Sequence, residues 1–149
     1  MVTTYLWLFA FLIGIVSILF IRLMINLSSS LSGWTALARV YLHKGEFQGE
    51  GWRHQSAQMR WLAKYNFCLT VGANPQGLYI SILRPFRFAH PALFLPWRAV
   101  SSRQVKFLGR PMTELLLGRE TRVPFRIDEK LAARLRSAAG QSWPTESAR

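Results

Sequence analysis

Hydrophobic and polar positions divide the chain into three regimes. Residues 5–21 carry no charged side chain, and after Arg22 the apolar run resumes through Leu23, Met24 and Ile25 to end near Leu27. From Trp34 onward, apolar residues come in short alternating or continuous runs broken by Gly and Pro, the mark of strands and turns. Beyond Asp128, Leu131, Leu135 and Ala138 recur at helical spacing until Gly140.

The first regime predicts a membrane-spanning helix over residues 5–27. At the helical rise it is roughly 34 Å long, against a hydrocarbon core of roughly 30 Å. Arg22 lies close enough to its end to snorkel to the headgroups. A cleaved signal peptide is the rival, but MVTTY has no basic residue and SSSLSG is a poor cleavage site. No Lys or Arg precedes the span, whereas Arg22, Arg39 and Lys44 follow it. That asymmetry predicts a single-pass protein of the plasma (inner) membrane, N-terminus outside and bulk in the cytoplasm. The lone Cys68 agrees with a reducing compartment. Residues 28–33, SSSLSG, read as a polar hinge.

The second regime, residues 34–140 with its terminal helix, predicts a small antiparallel barrel or sandwich of about seven strands. WTALARVYL alternates as a first strand, and HKGEFQGEG follows as a loop. QMRWLAKY, FCLTVGA and LYISIL come next, the last two joined by NPQG. There Pro75 suits the first corner of a turn and Gly77 is expected to supply positive φ. SRQVKFL, MTELLLG and RVPFRI complete the set. LYISIL, apolar at most positions, belongs inside the sheet, and the basic SRQVKFLGR suits an edge. Trp34, Trp61, Phe67, Tyr79 and Phe125 are expected in the core. LFLPWRAV breaks the pattern, because Pro96 cannot donate to a central ladder; a strand ending at a corner, with Trp97 turned inward, accommodates it.

The third regime predicts an amphipathic helix, residues 128–140, with Asp128 as N-cap and Glu129 in its first turn. Its apolar stripe caps an open end of the barrel. Residues 141–149 read as a flexible tail.

Strands followed by one capping helix resemble pleckstrin-homology-like (PH-like) and GRAM-like domains. The segments NFCLTVGANPQGLYISIL and HPALFLPW also look like a group of small, uncharacterised bacterial membrane-anchored proteins. The resemblance implies a fold and a binding role, since such domains bind lipids, peptides or proteins with different surfaces. It carries over no site residues, because the basic loop motif of the lipid-binding relatives has no counterpart here.

Charge changes the picture further. The chain carries a net +12. Between Gly51 and Thr113 stand Arg53, Arg60, Lys64, Arg84, Arg87, Arg98, Arg103, Lys106 and Arg110 and no acidic residue. Held near a membrane whose cytoplasmic leaflet is anionic, such a domain is suited to headgroup contact, at about 1 kcal/mol per cation. RPFRFAHP is the best-suited segment, with Arg84 and Arg87 flanking Phe86 and Phe88. Arg98, Arg103, Lys106 and Arg110 extend the candidate surface for anionic lipid or an acidic membrane-protein partner. A merely solvated basic face is the plain alternative. Nucleic acid is disfavoured by the anchor and by aromatics assigned to the span and core. Gly14 and Ser17 give the span one small face, the alternative being an accessory subunit recognised through its helix.

Enzymatic chemistry finds little support. The absence of carboxylates from residues 51–113 removes paired acids from most of the barrel. His43, His54 and His90 lack partners at metal-ligand spacing, and Cys68 sits in an apolar run suited to an inert thiol. HKGEFQGEG matches neither phosphate-binding glycine pattern, and Ser81, Ser101 and Ser102 lack a nucleophile-elbow context. No metal or cofactor is implied.

Overall fold

The computed structural model describes residues 1–61 and 63–146. A helix of 31 residues, α1 (Val2–Ser32), is long and apolar enough to cross a membrane. It turns at Gly33, whose φ of 86° is open to glycine, directly into α2 (Trp34–Tyr41). Seven strands follow: β1 (Glu50–Met59), β2 (Ala63–Asn74), β3 (Gly77–Ile82), β4 (Leu93–Pro96), β5 (Val100–Phe107), β6 (Arg110–Leu117) and β7 (Val123–Asp128). A last helix, α3 (Glu129–Ala139), closes the domain.

All strand pairings are antiparallel, in the order β4-β3-β2-β1-β7-β6-β5. β1 joins the two halves. It pairs along its length with β2 but meets β7 only at Gln58↔Arg126 and Met59↔Phe125. The sheet therefore curls about this joint. Inside the curl lie Met59, Leu69, Ile80, Leu95, Leu115 and Phe125, sealed by Leu131 and Leu135 from α3 and by Trp34 and Leu37 from α2. Asp128 caps α3 as expected, its carboxylate accepting from the Leu131 N–H at 2.7 Å.

LFLPWRAV folds as the corner that Pro96 requires. β4 ends at Pro96, a 3₁₀ turn occupies Trp97–Ala99, and β5 begins at Val100. Trp97 is buried and donates its indole N–H to the Asn74 carbonyl at 2.8 Å. LYISIL lies between two strands and is buried at every position of β3, and SRQVKFL forms the edge strand β5.

Several expectations are corrected. WTALARVY is helical, not a strand. Trp34, Leu37, Ala38 and Tyr41 also fall at helical spacing, and Ala, Leu and Arg favour that reading. The expected hinge, residues 28–33, is the end of α1, because Ser29 and Ser32 are buried and hydrogen-bonded in its last turns. QMRWLAKY is no single strand: β1 ends at Met59 and Arg60 takes φ 51° in a turn. Trp61, on that turn, is 80% exposed. Phe67 is 73% exposed beside a register irregularity, with φ 53° reversing the alternation that put it inside.

Gly77 lacks the positive φ expected of it. The turn is tightened instead by the Asn74 side chain, which accepts from the Gln76 and Gly77 N–H groups, both at 2.9 Å. Glycine is needed because a Cβ at position 77 would run into the Leu95 carbonyl oxygen of β4. The expected loose tail is packed over its described part: Trp143 lies against Trp97, and Ser102 donates to the Pro144 carbonyl at 2.8 Å. Residues 147–149 of that tail lie outside the described residues.

Candidate functional site

The basic-aromatic segment leaves β3 at Ile82 and returns at Leu93. Pro85 restrains a 3₁₀ turn, Arg84–Phe86, closed by the Phe86 N–H on the Leu83 carbonyl (3.1 Å) and the Arg87 N–H on the Arg84 carbonyl (3.2 Å). Arg87 folds back on β3, donating to the Ile82 carbonyl (3.2 Å) and the Ser81 hydroxyl (3.0 Å). Its guanidinium holds the loop's shape. Arg84, Phe86, Arg87 and Phe88 are all exposed, with Leu83 exposed at the loop's start. The Leu83 N–H donates to the Cys68 carbonyl at 3.0 Å, which brings exposed Phe67 to the same end of the sheet.

This loop runs beside the end of α1 and is fastened to it twice. Ser29 donates to the Ala89 carbonyl at 2.6 Å, and the Arg22 guanidinium lies 5.2 Å from the centroid of the Phe88 ring. Across the domain, Arg60 donates to the Leu31 carbonyl at 3.3 Å. The long apolar helix is thus tied to the domain through Arg22, Ser29 and Leu31.

A buried polar knot forms the mount. Tyr65 Oη donates to Ser32 Oγ at 3.1 Å, and Ser32 Oγ donates to the Ser29 carbonyl at 3.1 Å. On its other side Tyr65 Oη lies 3.1 Å from His90 Nε2, within hydrogen-bond distance. His90 Nδ1 has no hydrogen-bond partner among the described residues. The Trp34 ring meets His90 edge-on, 5.1 Å between centroids, and its indole N–H donates to the Pro91 carbonyl at 2.8 Å. Burial pushes the imidazole of His90 below its ordinary range and the Tyr65 phenol above its own. Both stay neutral near pH 7.

The other basic candidates lie elsewhere. Arg98 is exposed in the 3₁₀ turn at the far end of β4. Arg103 on β5 pairs with Glu114 of β6, a carboxylate 1% exposed that also binds Arg126 of β7 at 2.8 Å. The Arg126 guanidinium in turn lies 5.7 Å from the Trp61 ring and 5.2 Å from the Phe107 ring. Lys106 and Arg110 flank the tip of the β5–β6 hairpin, both exposed. Arg84, Phe86, Arg87 and Phe88 thus share one loop, Lys106 and Arg110 share one hairpin tip, and Arg98 stands apart from both.

Sequence reasoning missed Ser29, Ser32, Tyr65 and His90 as a unit. The serine run was visible, but its role depends on Tyr65 and His90 arriving from distant segments. Among the described residues, no group of three or more His, Cys, Asp or Glu side chains is placed to hold a metal ion. Burial raises the Cys68 thiol, which lowers its nucleophilic fraction.

Compared with known proteins, the chain matches no family model, no curated protein and no solved structure.

Proposed function

We propose that the protein is a single-pass membrane-anchored, non-enzymatic binding module whose cytoplasmic domain is held on anionic lipid headgroups through residues 84–88. The observation that carries this reading is the docking of that loop beside Arg22, where the uncharged part of α1 ends. Set at residues 2–21 rather than at the 5–27 expected from the sequence, the span measures about 30 Å at the helical rise, the thickness of a bilayer core. With those residues in hydrocarbon, Arg22 enters the headgroup zone and Phe88 with it. Phe86 then contributes apolar contact, about 1.5–3 kcal/mol if fully buried. Arg84 adds a further 1 kcal/mol or so against an anionic leaflet. The Lys and Arg residues that follow the span favour the cytoplasmic side for the domain.

One curled antiparallel sheet of seven strands followed by a C-terminal helix supports the PH-like resemblance. The mount at Ser29, Ser32 and Tyr65 supports a fixed domain orientation over a freely hinged one.

The test is a depth measurement on the full chain in nanodiscs, with a nitroxide at position 86 in the Cys68→Ser/Phe86→Cys variant. In bilayers containing phosphatidylglycerol the label is expected to gain contact with oxygen dissolved in lipid and lose contact with an aqueous nickel chelate. Full access to the chelate in both anionic and zwitterionic bilayers would overturn the reading.

A further inference from the structure

The two edges of the curled sheet are treated differently. β4 is short, and its free side is covered from within the domain: Leu42 bridges Leu93, and the His43 N–H donates to the Ala92 carbonyl at 2.8 Å. β5 is longer, and on its free side the chain places its own C-terminal segment. Glu146 forms a single parallel bridge with Ser102, Ser102 Oγ donates to the Pro144 carbonyl, and Trp143 rests against Trp97 at 5.5 Å and Arg136 at 5.3 Å. A groove of about 140 Å³ remains between them, lined by Arg103, Gln104, Arg136 and Thr145 among others. Among the described residues, the free side of β5 from Arg103 to Phe107 carries no further ladder partner.

We propose that the outer edge of β5, which no other named strand pairs among the described residues, is a docking site for an extended acidic peptide, which adds as a parallel strand in place of residues 143–146. The resident segment shows that this edge accepts an extended chain, and in which direction. Among the described residues its hold is one ladder bridge, one hydroxyl bond and the contacts of the Trp143 indole with Trp97 and Arg136, with Thr145 and Glu146 exposed. Main-chain pairing along an edge supplies affinity, and flanking side chains supply selectivity. Here the flanks are cationic. Lys106 stands on the strand, Arg103 and Arg136 line the groove, and β5 carries no acidic residue. The one carboxylate opposite Arg103, on Glu114, is buried and shared with Arg126. Basic side chains at an edge repel basic strands and discourage neutral ones, which would bury the charge unpaired. They leave acidic strands admissible. The site is separate from residues 84–88, so its occupancy does not depend on lipid contact.

The experiment uses the full chain in zwitterionic nanodiscs and two fluorescein-labelled peptides, one alternating Glu and Val, the other Lys and Val. Fluorescence anisotropy is expected to show the Glu peptide binding at least tenfold more tightly, like charges being costly at an interface. Trp143→Ala, which loosens the resident segment, should strengthen that binding by about threefold or more, since the competent fraction rises. Ser102→Ala should act in the same direction. Lys106→Glu should abolish or reverse the preference, and Arg84→Ala should leave it unchanged. No binding to Trp143→Ala, equal binding of both peptides, or a preference indifferent to Lys106→Glu but lost in Arg84→Ala would each overturn the assignment.

Discussion

The Arg22 guanidinium and the Phe88 ring, 66 positions apart by number (88 − 22), meet at 5.2 Å and tie the apolar helix to the basic-aromatic loop. A cation over an aromatic face contributes about 0.5–1 kcal/mol when exposed and about 2 when desolvated. With the pair at a bilayer edge, as proposed, its contribution would fall between those limits.

The contact is therefore expected to show as a coupling. Arg22→Gln and Phe88→Leu should each raise amide hydrogen exchange in residues 84–90 of the full chain in anionic nanodiscs. The double variant should raise it by less than the sum, with an interaction free energy of about 1 kcal/mol. Strict additivity would show that the two residues do not act as a pair and would leave Ser29 as the helix's hold on the loop.

Acidification should loosen the mount through His90. Burial holds its folded value below the ordinary 6.5, so on lowering the pH the unfolded chain takes up this proton first. The contribution of neutral His90 is complete above about pH 6.5 and declines as pH falls below it. Protonation also sets a charge beside Trp34 and an unpaired Nδ1. Thermal unfolding of the detergent-solubilised full chain should show a larger loss of Tm between pH 7.5 and 5.5 in wild type than in His90→Gln. An equal loss in both would place the pH response elsewhere.

The Glu114 carboxylate is the buried counter-charge of β5, β6 and β7. Glu114→Ala leaves Arg126, whose side chain is 10% exposed, without an anion. Removing one partner of a buried pair typically costs about 3–5 kcal/mol. The expected result is a fall in Tm by far more than Arg103→Ala produces, because Arg103 is half exposed and finds water. Comparable small shifts for both variants would show that Arg126 finds another partner.

How much of this was legible beforehand depends on where each signal resides. The apolar helix, the strand content, the Asn74 turn, the Pro96 corner and the Asp128 cap are local, and short patterns carry them. Trp34 to Tyr41 fit two periods equally, and its covering role, with Trp34 and Leu37 wholly buried, decides for the helix. Trp61 and Phe67 were misplaced because Arg60 and Phe67 both take positive φ, which alternation does not reveal. The loop of residues 84–88 was recognisable from composition. That Arg87 serves the fold while Arg84 faces outward rests on Ser81 and Ile82 lying within reach. The buried knot was not legible, since Ser32, Tyr65 and His90 are joined only by tertiary folding.

Glycines 51 and 77 offer the sharpest contrast for the sheet itself. Both lack positive φ, so neither is retained for backbone conformation. At Gly51 an added Cβ meets nothing within 4 Å, whereas at Gly77 it meets the Leu95 carbonyl and the Phe94 ring. The obstacle at Gly77 includes backbone, which yields only if β4 moves. Since β4 carries Leu93 and Leu95 into the core and leads into the Pro96 corner, its displacement loosens packing on both sides of that corner. Gly77→Ala should therefore cost about 1–3 kcal/mol, as overpacking does, and lower Tm accordingly. Gly51→Ala should be neutral or slightly stabilising, because it reduces the entropy of the unfolded chain without a clash. Equal Tm values for the two variants would mean that β4 is not held where the register Gly77↔Pro96 and Leu78↔Leu95 places it.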